Sequence, residues 1–189
     1  MSIKTRTLTA IAIIALGLVY AAIFAAITSD VTADSIDLVM TLIRIEPWWA
    51  FIVIGGLLLG PIWGAGISAV ILLGGYIFIG LRLEYYLPIS VLQTYARALA
   101  YYVAAAVCAG LFSKIASSFK LLLLGAFCSL LLGHLVRLII EYVRIGWGLP
   151  IRGLVESWIH FHGFAVLLLS VVIAGICLAF RHILQACKK

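Results

Sequence analysis

The chain is a series of long apolar runs separated by short polar stretches. Most of the runs approach the roughly 20 apolar residues that an α-helix needs to cross a bilayer. The pattern therefore predicts an all-α, polytopic membrane protein in which residues 1–189 form a single transmembrane domain. Its six predicted spans are residues 8–27, 49–60, 62–79, 94–112, 121–142 and 159–180.

The boundary between the second and third spans depends on a glycine- and proline-rich motif. The sequence there is Gly60-Pro61-Ile62-Trp63-Gly64, and the apolar runs on both sides of it are short. Proline breaks or kinks a helix, so we interpret the motif as a turn. A single span across it would give an odd number of spans and would place the terminal lysines outside the cell. We therefore predict two spans here.

The segment 30–47 differs from the predicted spans. It carries scattered charges within a semi-apolar background, so it is too polar to span and too apolar for a linker. An interfacial or folded-over loop is the interpretation that fits both properties. Trp48 and Trp49 follow it, and we interpret them as an aromatic belt at the membrane surface.

Composition confirms the membrane class and excludes several functions. Apolar residues make up 66% of the chain and charged residues 11%, against roughly 45–50% and 25% in soluble domains. Six spans leave no room for a soluble ATPase or nucleotide-binding domain. The formal net charge of +6 comes from residues at helix ends, so it indicates membrane topology and no nucleic-acid partner.

The distribution of lysine predicts the orientation in the membrane. With alternating spans and a cytoplasmic N-terminus, every lysine falls on the inner side, as positively charged loops tend to do. These residues are Lys4, Lys114, Lys120, Lys188 and Lys189. We therefore expect a multi-pass protein of the cell membrane with both termini in the cytoplasm.

The fifth predicted span carries four polar residues on one helical face. His134, Arg137, Glu141 and Arg144 follow one another at spacings of three, four and three residues. Unpaired ionisable groups are costly in a membrane helix, so this stripe must face protein, water or a ligand. One interpretation is an Arg137–Glu141 pair with Arg144 reaching the interface. The other is a role in ligand or proton handling.

Two further polar stripes lie at the outer ends of spans 4 and 6. Gln93, Arg97 and Tyr101 recur every four residues, and so do the pairs Glu156/His160 and Trp158/His162. Together with the fifth span they predict one outward-facing pocket for a planar or partly apolar solute with an anionic group. The candidate substrate-binding residues are Arg97, Tyr101, His134, Arg137, Glu141, Arg144, Trp147, Trp158, His160 and His162.

The sequence shows no catalytic machinery, so we expect no enzymatic activity and no cofactor. Recognisable hydrolase, zinc-protease, P-loop and haem-attachment motifs are absent, and the cysteines lack metal-type spacing. His160 and His162 point about 200° apart on a helix and cannot share a metal. A haem held between His134 and one of them stays open as an alternative.

Small residues recur along the first predicted span. Gly17, Ala21 and Ala25 are spaced by four, which makes a smooth groove for the close approach of another helix. Packing within this chain and docking to a separate membrane subunit are both consistent with that pattern.

These features together resemble the substrate-binding S components of energy-coupling-factor (ECF) vitamin transporters. The similar features are the six-span layout, the small-residue repeat at Gly17, Ala21 and Ala25, the long first outer loop and the Gly60–Gly64 hinge. The resemblance implies capture of a small vitamin-like solute and docking to an ECF transmembrane subunit that two ATPases drive. Alternatives are a haem b- or quinone-binding anchor of a respiratory complex and a structural membrane scaffold of the same fold.

Overall fold

The computed structural model describes residues 3–29, 48–82, 89–145 and 151–186, and within them the protein is all-helical. Only Gly60 and the turn at 113–118 interrupt the helices in these ranges. The helices are α1 (Ile3–Ser29), α2 (Trp48–Leu59), α3 (Pro61–Arg82), α4 (Ile89–Phe112), α5 (Phe119–Ile145) and α6 (Ile151–Ala186). The predicted all-α class is confirmed.

Four helices contain segments that are long and apolar enough to cross a membrane. These segments are Ile3–Phe24, Tyr95–Phe112, Phe119–Arg144 and His162–Ala186. The two remaining apolar segments, Trp48–Leu59 and Pro61–Gly75, are shorter. The 12 residues of α2 extend only about 18 Å at 1.5 Å per residue.

The predicted turn at Gly60 is present, and it folds α2 and α3 into a tight hairpin. Gly60 has a φ of 98°, which L-residues with a side chain rarely adopt. Its N–H donates to the carbonyl of Gly56 at 2.8 Å, and Pro61 then begins α3. A Cβ added to Gly64 would lie 2.8 Å from the Cα of Gly56, so the two backbones touch directly after the turn.

Successive helices run in opposite directions. In α4, Tyr95 bonds to Ala69 of α3 while Gly110 lies against Pro61, an antiparallel order. In contrast, Gly17 of α1 meets Ile71 of α3, and Ala21 lies one turn further along against Gly75, so these two helices run parallel. The start of α1 and the end of α6 therefore lie at the level of Gly60. We call this face the Gly60 end and the opposite face the Trp49 end.

The short helix α2 is the centre of the bundle. It packs against all five other helices, and the side chains of Trp49, Ile52, Val53 and Leu57 are fully buried. A helix that is apolar on every side is stable only when other elements surround it. The outer helices expose large apolar side chains instead, such as Phe164 at 76%, as expected for a surface in contact with lipid.

The small-residue face of α1 is used inside the chain. Ala21 is fully buried, and a Cβ added to Gly17 would lie 2.9 Å from Cγ1 of Ile71 in α3. Of the two interpretations of this face, the structure shows intramolecular packing for these two residues, and neither is accessible to a partner subunit. The side chain of Ala25 lies outside the described residues.

Replacing Ala21 by leucine should therefore destabilise the chain itself. Added methyl groups at a fully packed position cost about 1–3 kcal/mol. Thermal unfolding in detergent measures the effect, and Ala15→Leu, at an exposed position on the same helix, is the matched control. Unchanged stability with loss of a co-purifying membrane partner would instead support a docking surface.

Candidate functional site

A cluster of six rings fills the interior towards the Trp49 end. It draws residues from α2, α4, α5 and α6, which the alternating directions of the helices bring to the same level. We call it the ring cluster, and its members are Trp49, Tyr101, Tyr102, His134, Trp158 and His162.

Trp49 is the centre of the ring cluster. The centroid of its ring lies 4.3 Å from the ring centroid of Tyr102, 4.6 Å from that of His134 and 5.8 Å from that of Tyr101. A glycine makes room for it, because a Cβ on Gly133 would lie 2.7 Å from Cη2 of the indole. Trp49 thus packs directly on the backbone of α5, which fixes α2 against that helix.

His134 is held by a directed hydrogen bond. The indole Nε1–H of Trp158 donates to Nδ1 of His134 at 3.1 Å, and the imidazole is only 3% exposed. An accepting Nδ1 leaves Nε2 as the N–H of a neutral imidazole. The His162 ring packs 5.2 Å from the His134 ring, so α5 and α6 are joined by two polar aromatic contacts.

Arg137 places a cation at the edge of the ring cluster. Its guanidinium carbon lies 5.8 Å from the centroid of the Tyr101 ring, within the range of a cation–π contact. The residue is half-buried, one turn beyond His134. A positive charge and several aromatic rings therefore occur together at the edge of the ring cluster.

The structure brings together five of the ten sequence-predicted site residues. They are Tyr101, His134, Arg137, Trp158 and His162. Arg97 and Arg144 instead line a separate groove on the outside of α4 and α5. His160 is exposed on α6, and Trp147 lies outside the described residues.

The carboxylates of the site helices pair with arginines along their own helix. Glu141 accepts a hydrogen bond from Nε of Arg144 at 2.6 Å, and Glu156 accepts one from Nε of Arg152 at 2.7 Å. Both pairs are substantially exposed. They lie at the Trp49 end, close to where α5 ends and α6 begins.

Sequence analysis missed the role of Trp49, which we interpreted as part of an aromatic belt. A usable signal was present, because the residues that follow it are apolar on every side of the helix (sequence FIVIGGLLL). Such a helix must be buried, and its first turn with it. Tyr102 was also missed as a partner of Trp49.

A cavity of about 140 Å³ adjoins the ring cluster. An apolar cavity of about 150 Å³ is large enough to hold a benzene molecule. The space is therefore suited to one planar ring, and three of its lining residues are aromatic. Its lining residues are Trp48, Ile71, Leu72, Gly75, Ala98, Tyr101 and Tyr102.

In the described part of the chain, the rings of His134 and His162 are neighbours, with centroids 5.2 Å apart. No group of three or more His, Cys, Asp or Glu side chains there could hold a metal ion. In comparisons with known proteins, no family model, no curated protein and no solved structure matches this chain.

Proposed function

We propose that this chain is a membrane-embedded binding subunit for a small solute with a planar ring and an anionic group. The observation that carries the proposal is the ring-sized cavity, whose Tyr101 wall also contacts Arg137. Aromatic side chains stack on a planar ring, and a guanidinium binds a carboxylate or phosphate through two parallel hydrogen bonds. No covalent chemistry is required of the chain.

In this proposal the protein crosses the cell membrane six times and captures its solute from outside. The three lysines among the described residues, Lys4, Lys114 and Lys120, all lie at the Gly60 end. The positive-inside tendency then favours a cytoplasmic Gly60 end, with both termini inside. The ring cluster and its cavity belong to the outer half under this orientation.

The transport role follows the resemblance to S components of ECF importers. The chain would release its solute to the cytoplasm after docking to a transmembrane subunit driven by ATPases. Because Gly17 and Ala21 are buried against α3, such docking would use other, outward-facing side chains.

Replacing Arg137 by alanine should weaken solute binding about 10- to 150-fold. This range corresponds to the loss of about 1.5–3 kcal/mol for a hydrogen bond to a charged group. The solute is first identified by mass spectrometry of the small molecules that co-purify with the wild-type protein, and its dissociation constant is then measured for both proteins.

Arg152→Ala is the matched control for this experiment. Arg152 lies at the same end of the bundle, but it is exposed and pairs with Glu156 on its own helix. Its loss should leave the dissociation constant unchanged. A cationic solute, or one bound equally well by the Arg137 variant, would contradict the proposal. A Soret band in the purified protein would favour the haem-binding alternative.

A further inference from the structure

A second candidate binding surface lies on the outside of the bundle, between α4 and α5. This surface, which we call the arginine groove, has a volume of about 520 Å³. Its lining residues are Gln93, Ala96, Arg97, Ile139, Ile140, Val143 and Arg144. Of these, Gln93 and Arg97 belong to the sequence stripe that leads to Tyr101.

The bed of the arginine groove is apolar and faces outwards. Ile139 is 63% exposed and Val143 59% exposed, and Ala96 is exposed beside them on α4. The apolar strip continues along α5 towards the Gly60 end through the exposed Leu135 and Leu132. A bed of this kind suits an acyl chain, which gains favourable packing against branched side chains.

The two arginines lie at the end of this bed that is nearest the membrane surface. Arg144 is the last residue of the membrane-crossing segment of α5, and Arg97 lies two turns into α4. Each uses its Nε in a bond to its own helix, Arg97 to the carbonyl of Gln93 and Arg144 to Glu141. These bonds orient both guanidinium groups within one groove.

The charge of the groove is positive. Among the described residues, the groove has the two guanidinium groups of Arg97 and Arg144 beside the carboxylate of Glu141, and the bond to Glu141 uses one of the five N–H donors of Arg144. Positive groups at headgroup depth beside an apolar bed are what an anionic phospholipid requires. The position is outside the ring cluster, so the solute site does not explain it.

We propose that the arginine groove binds one anionic phospholipid. Its phosphate contacts Arg97 and Arg144, and one acyl chain lies along Ala96, Ile139 and Val143. The proposal rests on the membrane placement given above, but it does not depend on the identity of the solute or on any transport partner.

The test is retention of lipid by the full chain. Protein in nanodiscs or detergent is given equal amounts of phosphatidylglycerol and phosphatidylcholine, and bound lipid is counted by native mass spectrometry. We expect phosphatidylglycerol to be retained preferentially. Each arginine near a membrane surface contributes enough to change affinity about fivefold, so Arg97→Gln with Arg144→Gln should lower it about 30-fold.

Three variants make this result specific. Arg152→Gln removes an exposed arginine from the same end of the bundle and should leave retention unchanged. Ala96→Phe fills the bed without altering any charge and should also lower retention. Arg144→Gln alone changes a side chain that is 54% exposed, so it tests the site even where the double variant fails to fold.

The outcomes separate this proposal from its competitors. Equal retention of the two lipids, or equal losses in Arg152→Gln and the arginine-groove variants, would overturn it. The surface would be a site for soluble anions instead if inorganic phosphate stabilised the protein as much as the lipid does.

The surface would be an interface with a second copy of the chain if the protein formed a dimer that the groove variants abolish and that added lipid leaves intact. Unchanged solute binding in the groove variants keeps this test distinct from that of Arg137.

Discussion

Replacing Trp49 by alanine is expected to lower the free energy of unfolding by about 3–5 kcal/mol. The indole is fully buried and contacts the rings of Tyr101, Tyr102 and His134. Its removal leaves a cavity where α2 meets α4 and α5. Because these helices are already tightly packed around Gly133, the neighbouring side chains cannot move in to fill that cavity. Unfolding in detergent titrated with SDS measures the change.

The matched control is Phe164→Ala, which truncates an aromatic side chain at a position 76% exposed on α6. Exposed truncations away from packed features usually change stability by less than about 0.5 kcal/mol. Equal losses for the two variants would contradict the central role of Trp49.

A double-mutant cycle tests the direct contact between Trp49 and the backbone of α5. Gly133→Ala alone should be destabilising, because its Cβ would overlap the six-membered ring of the indole. In a Trp49→Phe background the ring is smaller, so Gly133→Ala should lower the free energy of unfolding much less. Coupling of contacting residues is typically about 0.5–3 kcal/mol, and strict additivity would show that the two residues do not touch.

Arg181 should be the second large determinant of stability, at the Gly60 end. Its guanidinium donates hydrogen bonds to the carbonyl oxygens of Ala116, Leu57 and Ser113, the last two at 3.3 Å. Leu57 belongs to the last turn of α2, and Ser113 and Ala116 follow the end of α4. The last carbonyl groups of a helix have no N–H partner within it, and they lie at the negative end of the helix dipole. The side chain of Arg181 therefore links α6 to the end of α2 and to the turn that follows α4.

Arg181→Met should destabilise the protein by about 3 kcal/mol, since it keeps the apolar stem and leaves buried carbonyls without a donor. Hydrogen exchange should rise locally at residues 55–59 and 113–117. Arg6→Met, an exposed arginine at the same end, is the control and should have little effect. A uniform increase in hydrogen exchange across the bundle, with no local rise at these residues, would contradict this role of Arg181.

The sequence by itself determined the all-helical class and the helix ends on both sides of Gly60. The lengths of the apolar runs and the Gly60-Pro61 turn are local properties, so they need no knowledge of neighbouring helices. Regular helical spacing also placed His162 near Trp158 on α6, and their rings lie 6.5 Å apart.

Only the tertiary structure decided which side of each helix meets which neighbour. At about 100° per residue, the stripe on α5 turns by about 80° between His134 and Arg144. The first therefore reaches the ring cluster, and the second reaches the outer groove with Arg97. The burial of Ala21 against α3 and the central position of Trp49 were decided in the same way. The reason is physical: a helix presents several apolar faces, and which of them is buried depends on the pairwise packing of distant segments.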